Sequence, residues 1–195
     1  RLLCSASVGG GAPLIETVRR ARAHGPVLRI DAVLNGTSNF VLNRLAEGAE
    51  FDDAVAAARA AGFAEEDPSA DLGGLDAAAK LAILAYEAAG WRLPVNEVAR
   101  QALSADAPRP DGCVRQLARL DLERREASVA LADLTGDPLL HDLPDEGAAL
   151  RAVTADGRVF TASGRGAGRI PTAESVWADL ADLLEPGGRS TDRAR

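Results

Sequence analysis

Lysine is nearly missing from this sequence. Of 22 basic residues in 195, only Lys80 is a lysine, and the rest are arginine. Methionine is absent, and aromatic residues make up 4% of the chain. Such a core must be aliphatic and helix-rich. Cysteine occurs twice, at Cys4 and Cys113, too seldom to staple a chain of this length. Two histidines, His24 and His141, lie far from both cysteines in sequence, so no zinc spacing is present. A reducing, cytoplasmic setting is the expectation. No apolar run approaches the roughly 20 residues of a membrane span, and the opening residues carry no signal-peptide pattern. The net charge of -7, with arginines scattered among acids, argues against nucleic-acid binding. The first residue is Arg1, and the chain opens on the apolar run "RLLCSASV". Both features predict a portion of a longer protein.

Hydrophobic residues supply 47% of the composition, enough for a sizeable core. Residues 1–8 read as a short strand. "APLIETVRRARAHG" has helical spacing, with Pro13 near its first turn. "VLRIDAVLN" alternates as a strand does. "GTSNFVLNRLAEG" reads as a helix capped by Thr37 or Ser38, and "FDDAVAAARAAG" as another, stopped by Gly62. An acidic loop with Pro68, Gly73 and Gly74 leads to a helix over 75–89. Its expected buried stripe is Leu75, Ala79, Ala82, Ile83 and Tyr86. "RLPVNEVARQAL" reads as one more helix, and "SADAPRPDG" as a linker. Then the period changes. "CVRQLARLDL", "ASVALADL", "AALRAVT" and "GRVFTASG" read as strands, with a hairpin turn at "TADGRV". "GRGAGRIP" is a glycine loop, "TAESVWADLADLLE" a capped final helix, and the tail from Pro186 is expected to be disordered. Helices before strands predict an α+β fold, a mixed sheet with helices packed on one face.

Lys80 stands four residues after Asp76, so both project from one side of the 75–89 helix. Glu65, Glu66, Asp67 and Asp71 crowd the loop before it. By spacing alone the pair is an ordinary surface ion pair. Arginine would serve that purpose as well, and this chain otherwise prefers arginine. A guanidinium holds its proton near neutral pH, whereas an amine can release it when its surroundings demand. A lysine kept here points to an amine that exchanges a proton or fits a compact space, a reading that stands beside the ordinary ion pair.

The stretch "AGFAEEDPSADLGGLDAAAK" resembles the signature of homoserine dehydrogenases. "VGGGAPLIE", "LNGTSNFVLNRL" and "GRGAGRIPTAESVWADL" are similar to that family's glycine turn, its Asn-Gly-Thr turn and its closing loop and helix. The resemblance spans nearly the whole chain. It implies NAD(P)-dependent interconversion of L-homoserine and L-aspartate 4-semialdehyde. It casts Lys80 as the acid/base and Asp76 as its orienting partner. It gives Glu65 and Asp71 the substrate's amino and hydroxyl ends. Gly36 and Thr37 would lie beside substrate and nicotinamide, where amides at a helix start suit an anion. Gly168 would lie near the cofactor, NADP or NAD. The carbonyls of Val8, Gly10 and Ala12 match a monovalent-cation site. Many members begin that turn with glutamate, and this chain has Ser5, so one charged ligand is gone.

The family's GxGxxG nucleotide-binding half has no counterpart here, nor does its second, upstream lysine. The resemblance therefore implies a substrate-binding and dimerisation domain over 9–163. Residues 1–8 and 164–185 would be edges of a nucleotide domain. A homodimer through the sheet, a small-molecule substrate, and no turnover by this chain alone are expected. Two alternatives stand beside it: a catalytically silent dimerisation or ligand-binding module, and a related dehydrogenase acting on another aldehyde. Neither the choice of NAD or NADP nor feedback regulation is written in these residues.

Overall fold

A computed structural model describes residues 3–106 and 113–184. The central element is strand β1 (Val27–Val33). Around it are a two-residue strand β2 (Ala99–Arg100), then β3 (Val114–Asp121), β4 (Glu126–Asp133), β5 (Gly147–Thr154) and β6 (Val159–Arg165). The sheet order is β2-β4-β3-β1-β5-β6. β2 runs parallel to β4 and every other pair is antiparallel, so the sheet is mixed. The helices are α1 (Leu14–His24), α2 (Gly36–Ala46), α3 (Phe51–Ala60), a single turn α4 (Ser69–Leu72), α5 (Leu75–Ala89), a second single turn α6 (Pro138–His141), and α7 (Arg169–Leu184). The α+β class predicted from the sequence is the class observed.

Alternation along the strands assigns the two faces of the sheet. Ile30 and Ala32 of β1, Leu120 of β3 and Leu150 of β5 point one way and are fully buried. They pack against Leu14, Ile15 and Val18 of α1 and Leu81 and Leu84 of α5. Burying each of these larger side chains stabilises the fold by about 1.5–3 kcal/mol. A second apolar cluster joins α2, α3 and α4 through Val41, Leu42, Ala58 and Leu72. The opposite face carries charge. Buried Asp31 is flanked across the strands by Arg119 and Arg151. It accepts a 2.7 Å hydrogen bond from Arg119 Nε and lies 3.1 Å from Arg29 Nε.

Several expectations require correction. The described part of 1–8 is a 3-10 turn at Ser5–Ser7, and no strand forms there. "RLPVNEVARQAL" is a short turn at Val95–Glu97 followed by β2. Its apolar residues cap the end of the core instead of lining a helix, with Leu93 and Val98 buried. The cap of α2 is Asn35, whose side chain accepts from the Ser38 amide. Helix α5 has the predicted bounds but buries another face: Ala77, Ala78, Leu81, Leu84, Ala85 and Ala88. Leu75 and Tyr86 are exposed. Small alanines permit the close approach of α5 to the sheet that bulkier residues would prevent. α6 lies on the charged face, where Leu140 packs with Val33, Leu117 and Ala149, so the helices are not confined to one side. α7 begins three residues before the predicted start at Thr172. The predicted disordered tail, 186–195, lies outside the described residues.

Candidate active site

β1 passes into α2 through Leu34 and Asn35, and this junction is the floor of the site. Asn35 is in extended conformation, as a helix cap should be, and its Oδ1 accepts from the Ser38 amide at 2.8 Å. The first backbone bond closing the helix runs from the Asn39 amide to the Asn35 carbonyl. The amides of Gly36 and Thr37 therefore precede any intrahelical acceptor. Thr37 is buried, and its hydroxyl donates to the Phe63 carbonyl at 2.6 Å, with Asp71 Oδ2 at 3.1 Å as a second acceptor.

The turn of α4 delivers Asp71, and Gly74 swings the chain into α5. Gly74 has φ +74, and a Cβ there would lie 3.0 Å from the Val129 side chain. A side chain there would strain the left-handed backbone and press on Val129 at the point where α5 begins. From the first turns of α5, Asp76 and Lys80 meet as an ion pair at 2.7 Å. Lys80 Nζ also donates to the Leu34 carbonyl at 2.9 Å. Two of its three ammonium hydrogens are thus engaged, and the third is left for a ligand. The Lys80 and Asp76 side chains are 22% and 32% exposed, which places the pair on a wall that solvent and ligand can reach.

That wall belongs to a cavity of about 610 Å³. Lys80, Asp76, Asp71, Glu65, Gly36 and Thr37 all line it, and so does Gly168. Residues far apart in sequence are thereby brought together on one cavity. Glu65 is exposed at the rim. Gly166, Ala167 and Gly168 also line the cavity, and none of them has a side chain larger than a methyl group. A flat ring could approach this backbone, so these residues fit a nicotinamide. Arg165 and Glu146 also line the cavity, 3.7 Å apart.

Val8, Gly10 and Ala12 are outside this cavity. The Gly10 carbonyl accepts from Ser175 Oγ at 2.7 Å, and the Ala12 carbonyl accepts from the Leu14 amide at 2.8 Å. Ser5 turns away to α7, donating to Asp179 Oδ1 at 2.7 Å. Two of the three candidate carbonyls each accept one hydrogen bond, and Ser5 adds no charge to the turn.

The sequence reading missed Asn35. It donates to both Asp71 Oδ1, at 2.7 Å, and Asp76 Oδ2, at 2.8 Å. The signal was available as an asparagine directly before Gly-Thr at a strand-to-helix junction, a preferred cap. The carbonyls of Leu34 and Phe63 were invisible, since main-chain acceptors have no sequence signature.

Fold and site together define an α+β domain with an amine–carboxylate pair on the wall of a cavity. The family model for homoserine dehydrogenase matches residues 13–181. The chain belongs to the homoserine dehydrogenase family. It is 36% identical to a homoserine dehydrogenase of Synechocystis, over 94% of this chain and 46% of that protein. It is 32% identical to an NAD(+)-dependent homoserine dehydrogenase of Pseudomonas canavaninivorans, over 95% of this chain and 56% of that protein. Among solved structures, a hyperthermophilic archaeal homoserine dehydrogenase in complex with NADPH superposes with a TM-score of 0.81 at 30% identity, covering 93% of this chain and 56% of that one. A homoserine dehydrogenase of Thiobacillus denitrificans gives 0.78 at 28% identity, covering 92% and 44%. The chain thus spans about half the length of the relatives it matches. Among the described residues, no helix is long and apolar enough to cross a membrane.

Proposed function

We propose that this chain is the substrate-side part of a cytoplasmic, NAD(P)-dependent oxidoreductase that interconverts L-homoserine and L-aspartate 4-semialdehyde. The observation that carries the reading is the convergence of Lys80, Asp76, Asp71 and Glu65 on one cavity that Gly166, Ala167 and Gly168 also line.

A bound nicotinamide would supply hydride exchange at the substrate's terminal carbon. As the alcohol becomes an aldehyde, its hydroxyl proton must leave at the same centre. Lys80 in its amine form takes that proton, and as an ammonium it returns it in the reverse direction. Asp76 holds the amine in place and stabilises the ammonium through the 2.7 Å contact. Glu65 and Asp71 attract the substrate's ammonium group. The Gly36 and Thr37 amides, at the start of an 11-residue helix, offer donors to its carboxylate. Gly166, Ala167 and Gly168 would hold a bound nicotinamide against their backbone.

Two surfaces support a larger assembly. α7 exposes Ile170, Val176, Trp177, Leu180 and Leu184 at helical spacing, a stripe suited to packing against a nucleotide-binding domain. The charged sheet face, with Asp31 held by Arg29 and Arg119, is the surface through which two copies would pair as a homodimer.

The test is homoserine-dependent reduction of NAD or NADP, measured for the purified 195-residue chain and for the full-length protein. Turnover by the full-length protein, with none by the chain alone, is the expected result. Failure of the full-length protein with both cofactors would remove the reading. Activity on another short aldehyde in place of aspartate semialdehyde would favour the related-dehydrogenase alternative.

A further inference from the structure

We propose that Asn35 is the positioning residue of this site, an amide clamp that ties Asp71 to Asp76 and so fixes the frame in which Lys80 holds its proton; this rests on the proton-transfer reading of Lys80. Asn35 is 4% exposed, and its side chain makes three contacts. Oδ1 accepts from the Ser38 amide, while Nδ2 donates to Asp71 Oδ1 and Asp76 Oδ2. A backbone amide can only donate, so Oδ1 must face Ser38 and the NH2 must face the carboxylates. The orientation of the amide is therefore dictated by its partners.

The NH2 lies between two carboxylates that would otherwise repel each other. It also shares Asp76 Oδ2 with Lys80 Nζ. The remaining acceptor of Lys80 is the Leu34 carbonyl, one residue before Asn35. One dipeptide at the end of β1 thus grips both members of the ion pair, with a main-chain oxygen on the ammonium and a side-chain amide on the carboxylate. Strand β1 is paired on both sides at the centre of the sheet, so this grip has a rigid base.

Capping alone does not account for asparagine. A cap needs only the side-chain oxygen, and serine or aspartate caps a helix about as well. What asparagine adds is the NH2, and both of its contacts are with carboxylates on the cavity wall. Asp71 is anchored besides through its main-chain carbonyl, which lies 3.2 Å from both Ser38 Oγ and Gln116 Nε2. The clamp therefore bears on the carboxylate group itself, the part facing a ligand.

Asn35→Ser in the full-length protein separates the two roles, because it keeps the cap and removes the NH2. The expected result is kcat for homoserine oxidation at least tenfold lower, with KM changed less than threefold. The acidic limb of the pH–rate profile, where a protonated Lys80 can no longer accept the hydroxyl proton, should move to higher pH, since Asp76 Oδ2 then gives its charge to Lys80 undivided. Asn35→Asp keeps the cap acceptor but sets a third carboxylate beside the two, and should lose more. A readout independent of turnover is NMR titration of 13Cε-labelled lysine, with the Lys80 signal identified by its loss in Lys80→Arg. That signal should titrate at higher pH in Asn35→Ser than in the unaltered protein. Coincident titration curves with an unchanged profile, whatever the loss in thermal stability, would overturn the proposal. If the unaltered protein does not oxidise homoserine, the functional reading falls by itself, and the Lys80 titration still decides the role of Asn35.

Discussion

Lys80 combines three properties at the scale of one residue: it is the only lysine, it is held by two acceptors, and it faces a cavity. Lys80→Ala in the full-length protein should lower turnover by at least about a hundredfold, the usual contribution of a positioned acid or base. Substrate affinity should change far less. Lys80→Arg should be nearly as damaging, because it keeps the positive charge and loses the exchangeable proton. Steady-state rates set beside binding measurements check both, and unchanged turnover would remove Lys80 from the mechanism. Thr37 is a structural case in the same cavity. Thr37→Val leaves the Phe63 carbonyl without its 2.6 Å donor and should cost about 1–3 kcal/mol in urea unfolding. Thr37→Ser should recover most of that loss. The lysine and its carboxylates were legible in the sequence because their chemistry is carried by residue type and spacing. Asn35 was not, since its second role needs Asp71 and Asp76 to arrive beside it from 36 and 41 residues away.

Individual elements answer to both local chemistry and close contacts. Gly10 has φ +56, and a Cβ there would lie 2.6 Å from the Gly166 carbonyl oxygen. The turn before α1 and the turn before α7 therefore touch through bare backbone. Gly10→Ala should lose more than about 2 kcal/mol by chemical denaturation, from left-handed strain plus the clash. Gly48→Ala, with φ +96 and open space around it, should lose only the strain, about 1 kcal/mol. A pH-dependent contact ties α6 to the sheet. Arg151 of β5 donates two hydrogen bonds to Asp137, at 2.7 and 2.6 Å. These bonds hold the Asp137 carboxyl below its ordinary value of 3.8, against the opposing effect of burial. The unfolded chain then takes up this proton more readily than the folded one. The contact stabilises the fold above about pH 4 and is lost as pH falls through the lower, folded value. The drop in thermal midpoint between pH 6 and pH 3 should be smaller in Asp137→Asn than in the unaltered protein. Sequence pattern marked α1, β1, α5 and the four long strands well, because each has a strong period. It failed at 92–103, where a short turn and the two-residue β2 set apolar residues over the end of the core, and tertiary contacts override a helical pattern. It also misplaced the buried face of α5, because alanines fit either side and the sheet's proximity chooses between them.

The whole molecule is a mixed sheet with most helices over one face and charge plus the short α6 over the other, closed by α7 against the Ser5–Ser7 turn through Ser5 and Asp179. Trp177 on α7 is 74% exposed, whereas Trp91 is partly buried. In a Trp91→Phe background, Trp177 emission should be solvent-like in the 195-residue chain and blue-shifted in the full-length protein. Equal spectra would mean that the stripe on α7 is not where a nucleotide-binding domain packs. By itself the sequence determined the family, the α+β class, the periodic elements and the identities of the titratable site residues. Motif spacing and hydrophobic period are local properties, and the unusual lysine is a compositional one. Only the tertiary structure decided which face of α5 is buried, that α6 crosses to the charged side, and that Asn35 joins two carboxylates. These depend on distances between segments far apart in sequence, and such distances are set by how the whole chain packs.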